Sequence, residues 1–231
     1  MRAAWLLGVL LAAGPAPAAA PAASTGAAAP SAGASGNRVF SHPAAPARLA
    51  TLTGAAARSI ADAKVVRGRF VQRRHLAGLT RPLESSGTFV FARGTGIDWH
   101  TLQPFDSQFL LTGSRITQRD EGGVSLQIEA AEQPALAVVS RVFFALFELD
   151  LGKLSQDFEL YGEQVGDGGW VLGLKPRTDA LGGVFRQATV RGAAAVSRLT
   201  LEDGNGDASE IEFHDVSFDT LGLTPDELRR F

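Results

Sequence analysis

The chain has 231 residues, 22 Lys and Arg against 24 Asp and Glu, a formal net charge of −2 and no cysteine. The missing cysteine excludes disulfides, thiol catalysis and cysteine metal sites, together with the lipid-attachment residue of a bacterial lipoprotein. No basic block stands out from the balanced charge, which excludes nucleic acid as a partner.

Arg2 precedes an apolar run from Ala3 to Ala13, with Trp5-Leu6-Leu7-Gly8-Val9-Leu10-Leu11 at its centre. A spanning helix needs about 20 apolar residues. The run has instead the length of a signal-peptide core, and small residues follow it. Cleavage fits after Ala18 and after Ala22. Residues 1–22 are read as a signal peptide and the chain as an exported one. Residues 23–46 are rich in Ala, Pro, Gly and Ser, lack apolar periodicity, and read as a disordered tether. Residues 47–231 suffice for one well-cored domain. No later apolar run reaches spanning length; the longest, Val142 to Leu149, is broken by Glu148.

A helix opens the domain. Leu49, Leu52, Ala56, Ile60 and Ala63 share one face, and Gly54 weakens the helix without ending it. The period then drops to 2. Phe89 and Phe91 alternate with Thr88 and Ala92, and Ile97, Trp99 and Thr101 with Asp98 and His100. Phe109 and Leu111 alternate with Gln108 and Thr112, and Val124, Leu126 and Ile128 with Ser125, Gln127 and Glu129. Gly122-Gly123 separates two runs as a hairpin turn would. Pro134 suits a first helical turn, and Leu136, Val139, Phe143 and Leu146 follow at helical spacing, with Val142, Phe144 and Phe147 widening the stripe. A short helix is expected near Leu151 to Gln156.

Strands resume at Phe158 and Leu160. After a turn at Asp167-Gly168-Gly169 come Trp170, Leu172 and Leu174, then a half-exposed strand near Val184 to Arg191. Leu199 and Leu201 follow, then a turn at Asp203-Gly204-Asn205-Gly206, then Ile211 and Phe213. Thr224-Pro225-Asp226-Glu227 reads as a capped terminal turn. About ten short alternating strands predict a mainly β, α+β domain: a large, curled antiparallel sheet with one apolar face and helices to cover it. The large apolar residues either fill a solid core or line a cavity under a helical lid. Periodicity alone fits both.

An ordered set of residues resembles the periplasmic carrier of outer-membrane lipoproteins, the LolA-like family. The set begins with Phe70-Val71-Gln72 after the first helix, Gly87 opening a strand and Arg93 closing it. Trp99, Pro104 and Leu110-Leu111-Thr112-Gly113 follow. Later come the apolar helix around Phe143-Phe144, Phe158, Trp170-x-Leu172-x-Leu174-x-Pro176 and the last Asp-Gly hairpin. The resemblance runs from about Leu49 to Phe218. No single motif in it is specific; the order behind a signal peptide is. Gly94 departs from the family, which often has proline there.

The resemblance implies a half-open, strongly curved antiparallel β-barrel whose helices close an apolar cavity for acyl chains. Lining residues are then Phe89, Phe91, Ile97, Trp99, Phe109, Leu111, Val139, Phe143, Phe147, Trp170, Leu172, Leu174, Leu199, Leu201 and Phe213. Arg93 takes the place of the arginine that holds the lid by bonds to helix backbone. It shares the parity of Phe89 and Phe91, and so points to the apolar face if the strand stays regular. A buried guanidinium needs partners, and carbonyls at a helix end would supply them.

The implied function is a monomeric periplasmic shuttle for acylated lipoproteins, taking cargo from an inner-membrane donor complex and passing it to an outer-membrane acceptor, with no cofactor. The alternative is a periplasmic lipid- or glycolipid-binding or sensing module with another acylated cargo. An enzyme is not expected: His42, His75, His100 and His214 are scattered, and no G-x-S-x-G elbow occurs. Asp203, Asn205 and Asp207 mimic the start of a calcium loop, but Ala208 stands where glycine is required and His214 where the glutamate belongs, so no metal is expected.

Overall fold

The computed structural model describes residues 38–41, 43–129, 134–182 and 186–231. The expected signal peptide and the tether up to residue 37 lie outside them. Two short helices come first, α1 (Pro46–Leu52) and α2 (Gly54–Ala61). The single helix expected from the sequence is interrupted at Thr53. This residue is buried, and both its hydroxyl, at 3.1 Å, and its backbone N–H, at 2.9 Å, donate to the Leu49 carbonyl. That competition for one carbonyl closes the first helix, and Gly54 adds no side chain to hold the next turn in line.

Six strands follow: β1 (Val65–His75), β2 (Leu83–Ala92), β3 (Gly96–Gln103), β4 (Ser107–Thr112), β5 (Arg115–Asp120) and β6 (Gly123–Glu129). Then come the helices α3 (Pro134–Glu148) and α4 (Leu151–Asp157). The second run of strands is β7 (Phe158–Val165), β8 (Gly169–Pro176), β9 (Gln187–Gly192), β10 (Val196–Glu202) and β11 (Ala208–Asp219). A short helix α5 (Asp179–Gly182) precedes β9, and α6 (Pro225–Leu228) lies near the C-terminus. The strands make one antiparallel sheet in the order β6-β5-β4-β3-β2-β1-β11-β10-β9-β8-β7. Pairing of β1 with β11 joins the two meanders, so β6 and β7 are the edges and the curved sheet stays open.

That topology makes the lid. The chain leaves the sheet at one edge, β6, and re-enters at the other, β7. The helices between them cross the concave face, where the apolar side chains are. Phe70 stacks on Trp99 with ring centroids 3.9 Å apart, and Phe91, Ile97, Phe109, Leu111 and Ile116 fill the space around them. Val142 and Phe143 of α3 join the same core. Gly87 is required where β2 nears β3, because a Cβ there would lie 1.9 Å from the His100 carbonyl oxygen.

At each end of the described residues a segment covers an apolar patch on the convex face. Residues 38–41 and 43–46, which composition assigns to the tether, dock on the β7 edge. Val39 is buried with Tyr161 and Val171, Phe40 meets Tyr161 edge-on, and Ala44 N donates to the Leu160 carbonyl at 2.9 Å. Val39-Phe40 supplies burial that the surrounding Ala and Pro cannot, and the segment shields an otherwise open strand edge.

At the other end, Leu223 and Phe231 pack on Val65, Val90 and Ala92. The terminal turn is the anchor of this hook. Thr224 and Glu227 form a reciprocal capping box, and the buried Glu227 takes two bonds from Arg67, at 2.6 and 2.7 Å. Those bonds hold the Glu227 carboxyl at about 2, well below its ordinary value.

Candidate lipid-binding groove

The concave face is packed solid on one side and open on the other. The open part is a groove between α2, α3 and the strands β9, β10, β11 and β1. Ile60 of α2 and Leu146 and Phe147 of α3 form its roof. Its floor includes Val66, Phe89, Val190, Val196, Leu199, Phe213, Val216 and Phe218. Every lining side chain is apolar. The void enclosed is small, about 50 Å³. Phe147 occupies the middle, with its ring centroid 5.8 Å from Phe89, 5.3 Å from Phe91 and 6.3 Å from Phe213.

Of the lining residues expected from the sequence, Phe89, Phe147, Leu199 and Phe213 meet in this groove. Phe91, Ile97, Trp99, Phe109, Leu111, Phe143, Trp170, Leu172, Leu174 and Leu201 sit in the packed core beside or beneath it. The side chain of Val139 lies outside the described residues. Sequence reasoning missed Ile60, Val66, Leu146, Val190, Val196, Val216 and Phe218. Val216 and Phe218 were hidden by a β-bulge: Asp215 has φ +52° and the register with β1 shifts between His214 and Ser217, so the inward parity of Ile211 and Phe213 passes to Val216 and Phe218.

Arg93 stands at the groove end of β2. The strand ends at Ala92, so Arg93 lies in the following turn and is exposed. Its guanidinium nevertheless reaches helix backbone: Nη2 donates to the Ile60 carbonyl at 2.7 Å and Nε to the Ala63 carbonyl at 3.2 Å. These carbonyls lie at the C-terminal end of α2, the favourable pole of a helix for a cation. Gly94 has φ +71°, a conformation closed to proline, which accounts for its departure from the family pattern.

The other candidates of the sequence lie elsewhere. Asp203 Oδ1 accepts the backbone N–H groups of Asn205, at 3.3 Å, and Asp207, at 3.0 Å, and so shapes the β10–β11 hairpin. His100 pairs with Asp106 at 2.9 Å on the convex side. Among the described residues, no group of His, Asp and Glu is arranged to hold a metal, and no helix is long and apolar enough to cross a membrane.

An unclosed, curved antiparallel sheet with helices laid over an apolar groove is a lid-covered half-barrel. The chain belongs to the family described as outer membrane lipoprotein carrier protein LolA, which matches residues 61–221. Members of that family are carriers by description. No individually curated protein matches the chain.

Solved structures with similar folds include a LolA superfamily protein from Nitrosomonas europaea, at 10% identity and TM-score 0.42, covering 77% of this chain and 95% of the other. A putative outer membrane lipoprotein-sorting protein domain from Vibrio parahaemolyticus has 10% identity and TM-score 0.39 over 77% and 95%. The lipoprotein LppX of Mycobacterium tuberculosis has 11% identity and TM-score 0.38 over 78% and 99%.

Proposed function

We propose that this protein is a periplasmic carrier that binds the acyl chains of lipoproteins in the groove beneath α3 and shuttles them from an inner-membrane donor to an outer-membrane acceptor. The observation that carries the reading is the groove itself: an all-apolar lining between the helices α2 and α3 and the concave face of the sheet. Membership of the carrier family supports the same reading.

The energetics fit a carrier. Each buried methylene is worth about 0.8 kcal/mol, so a 16-carbon chain carries roughly 12 kcal/mol and leaves a membrane slowly unless another apolar surface receives it. Ligand pockets hold roughly 300–1,000 Å³, several times the void of about 50 Å³ seen here. The described conformation is therefore closed, and cargo enters by displacing the roof, α2 and α3 with the Phe147 ring. Closure needs a counterforce, or cargo would not leave. The two bonds from Arg93 to the end of α2 supply one.

The test is the lipid that accompanies the processed chain when it is purified from the periplasm, identified by mass spectrometry. Acyl-bearing protein is expected. Free lipids or glycolipids alone would move the function to a lipid-binding module, and an empty groove that also ignores a fluorescent acyl probe would overturn the reading.

A further inference from the structure

Exposed apolar side chains gather at one end of the sheet. At the end of the sheet away from the groove, Leu79 on the β1–β2 connection and Leu83 at the start of β2 are each 53% exposed, and Phe105 is 51% exposed on the β3–β4 turn beside them. Strands β2 and β3 are paired there, Ser86 opposite Gln103, so the two tips are neighbours. The β1–β2 connection spans residues 76–82 and is the longest hairpin connection at this end. Its base is tied by a bond from Ala77 N to Asp207 Oδ1 at 2.7 Å.

The same finger is basic in a chain that is not. From Arg73 to Leu83 it carries three arginines, a histidine and no acid, against a net charge of −2 for the whole chain. Arg73 is offset by Glu84 at 3.1 Å and by Glu212 at 3.4 Å, which leaves Arg81 as the charge at the tip. His75 and Arg81 are exposed. The flanking tips are acidic, with Asp120 and Glu121 on one side and Asp203 and Asp207 on the other.

We propose that this finger, with the Phe105 tip, seats on an anionic lipid bilayer. Apolar side chains on separate convex tips offer no single knob for a protein pocket, but a headgroup layer receives all of them at shallow depth. Amphipathic surface elements sink roughly 5–10 Å into that layer. Arg81 then meets lipid phosphates as a guanidinium meets any phosphate, through two parallel donors. Asp106 on the Phe105 tip is held by His100 at 2.9 Å, whereas the acidic tips on either side, which carry two carboxylates each, are repelled by the same surface.

Nothing in this contact touches the groove. From Val65 to His75, β1 runs about 30 Å at strand rise, which separates the seated end from the groove residue Val66. The proposal therefore stands apart from the carrier reading.

Co-sedimentation of the processed, exported chain with vesicles tests it. The vesicles are phosphatidylcholine with a quarter phosphatidylglycerol, compared with phosphatidylcholine alone, at low and high salt. Binding to the anionic vesicles is expected, and it falls at least tenfold in high salt, where exposed charges are screened. Arg81→Glu changes the local charge by two and weakens binding about thirtyfold.

Replacing Leu79, Leu83 and Phe105 together by Ser weakens it at least tenfold. Both variants keep the wild-type melting temperature and acyl-probe binding, because the replaced side chains are exposed and remote from the groove. Failure of the wild type to bind the anionic vesicles would overturn the proposal, as would undiminished binding by both variants.

Discussion

Replacing Arg93 by Leu isolates the latch. The guanidinium makes two side-chain bonds to helix carbonyls, at 2.7 and 3.2 Å, from an exposed position. A net hydrogen bond is worth about 0.5–1.5 kcal/mol, and a cation at an exposed helix C-terminus about 0.3–1 kcal/mol. Solvent competition places the sum near the low end, about 1–2 kcal/mol. If cargo enters only when the lid is displaced, removing that bias raises apparent affinity for an acyl chain by about 5–30-fold.

Folding loses at most the same free energy, a fall in Tm of about 2–8 °C for a domain of this size. The assay is titration with a fluorescent 16-carbon probe beside a thermal melt, followed by transfer of the probe to acceptor vesicles. Arg93→Leu should bind tighter and release more slowly. Arg93→Lys, which keeps the charge but not the two-pronged geometry, should fall between. Unchanged binding and release in Arg93→Leu, with or without a lower Tm, would show that the bonds hold the fold and not the lid.

Two further predictions concern the groove and the hook. Phe147→Ala empties the middle of the groove; because the ring is only partly buried, the cost is about 1.5–2.5 kcal/mol, half that of a fully buried Phe. Acyl-probe affinity should rise as Tm falls, whereas a joint fall in both would refute self-occupancy of the groove by Phe147. Glu227 has a folded-state value of about 2 against an ordinary 4.5. Its stabilisation is therefore complete above about pH 4.5 and lost as pH falls toward 2. Allowing for solvent around the partly exposed Arg67, it amounts to about 1–2 kcal/mol. Glu227→Gln should melt about 2–8 °C lower at pH 7, with the difference closing in acid; a gap independent of pH would refute the assignment.

Most strands were legible because their inner positions are large and apolar while their outer positions are not. Phe89-x-Phe91, Ile97-x-Trp99 and Leu172-x-Leu174 show the pattern plainly, and all six residues are in the core. Two strands were hidden. On β1 the inner positions run Val66, Gly68, Phe70, Gln72, and the glycine and glutamine break the apolar series. On β5 only Ile116 and Gln118 face inward, too short a run to show a period.

Pairing of β1 with β11 was beyond reach for a different reason, since it joins residues about 150 apart, as Val65 and Asp219 do. Nothing in either segment alone specifies its partner. The hook was half legible: Thr224 and Glu227 announced a cap, but its receptor, Arg67, stands 160 positions from Glu227.

The same contrast explains where the groove lies. The resemblance spreads the expected lining over β2, β3, β4, β8, β10, β11 and the helix α3, whereas the groove opens against only part of it. Aromatic side chains along β1, β2, β3 and β4 reach across the concave face and fill it themselves: Phe70 covers Trp99, Phe91 stacks on Phe147, and Phe109 is buried. Bulk at the wall closes a cavity. Along β9, β10 and β11 the inward residues include Val190, Val196 and Val216, which are too short to meet the helices above. Space remains between these valines and the helices, beside Phe213 and Phe218, and one aromatic ring from the roof, Phe147, comes down to take part of it. Enlarging the wall from below should therefore do the opposite of Phe147→Ala. Val196→Phe, on a half-exposed strand position, should fill the groove, leave Tm within a few degrees, and abolish acyl-probe binding; retained binding would place the acyl site elsewhere on the sheet.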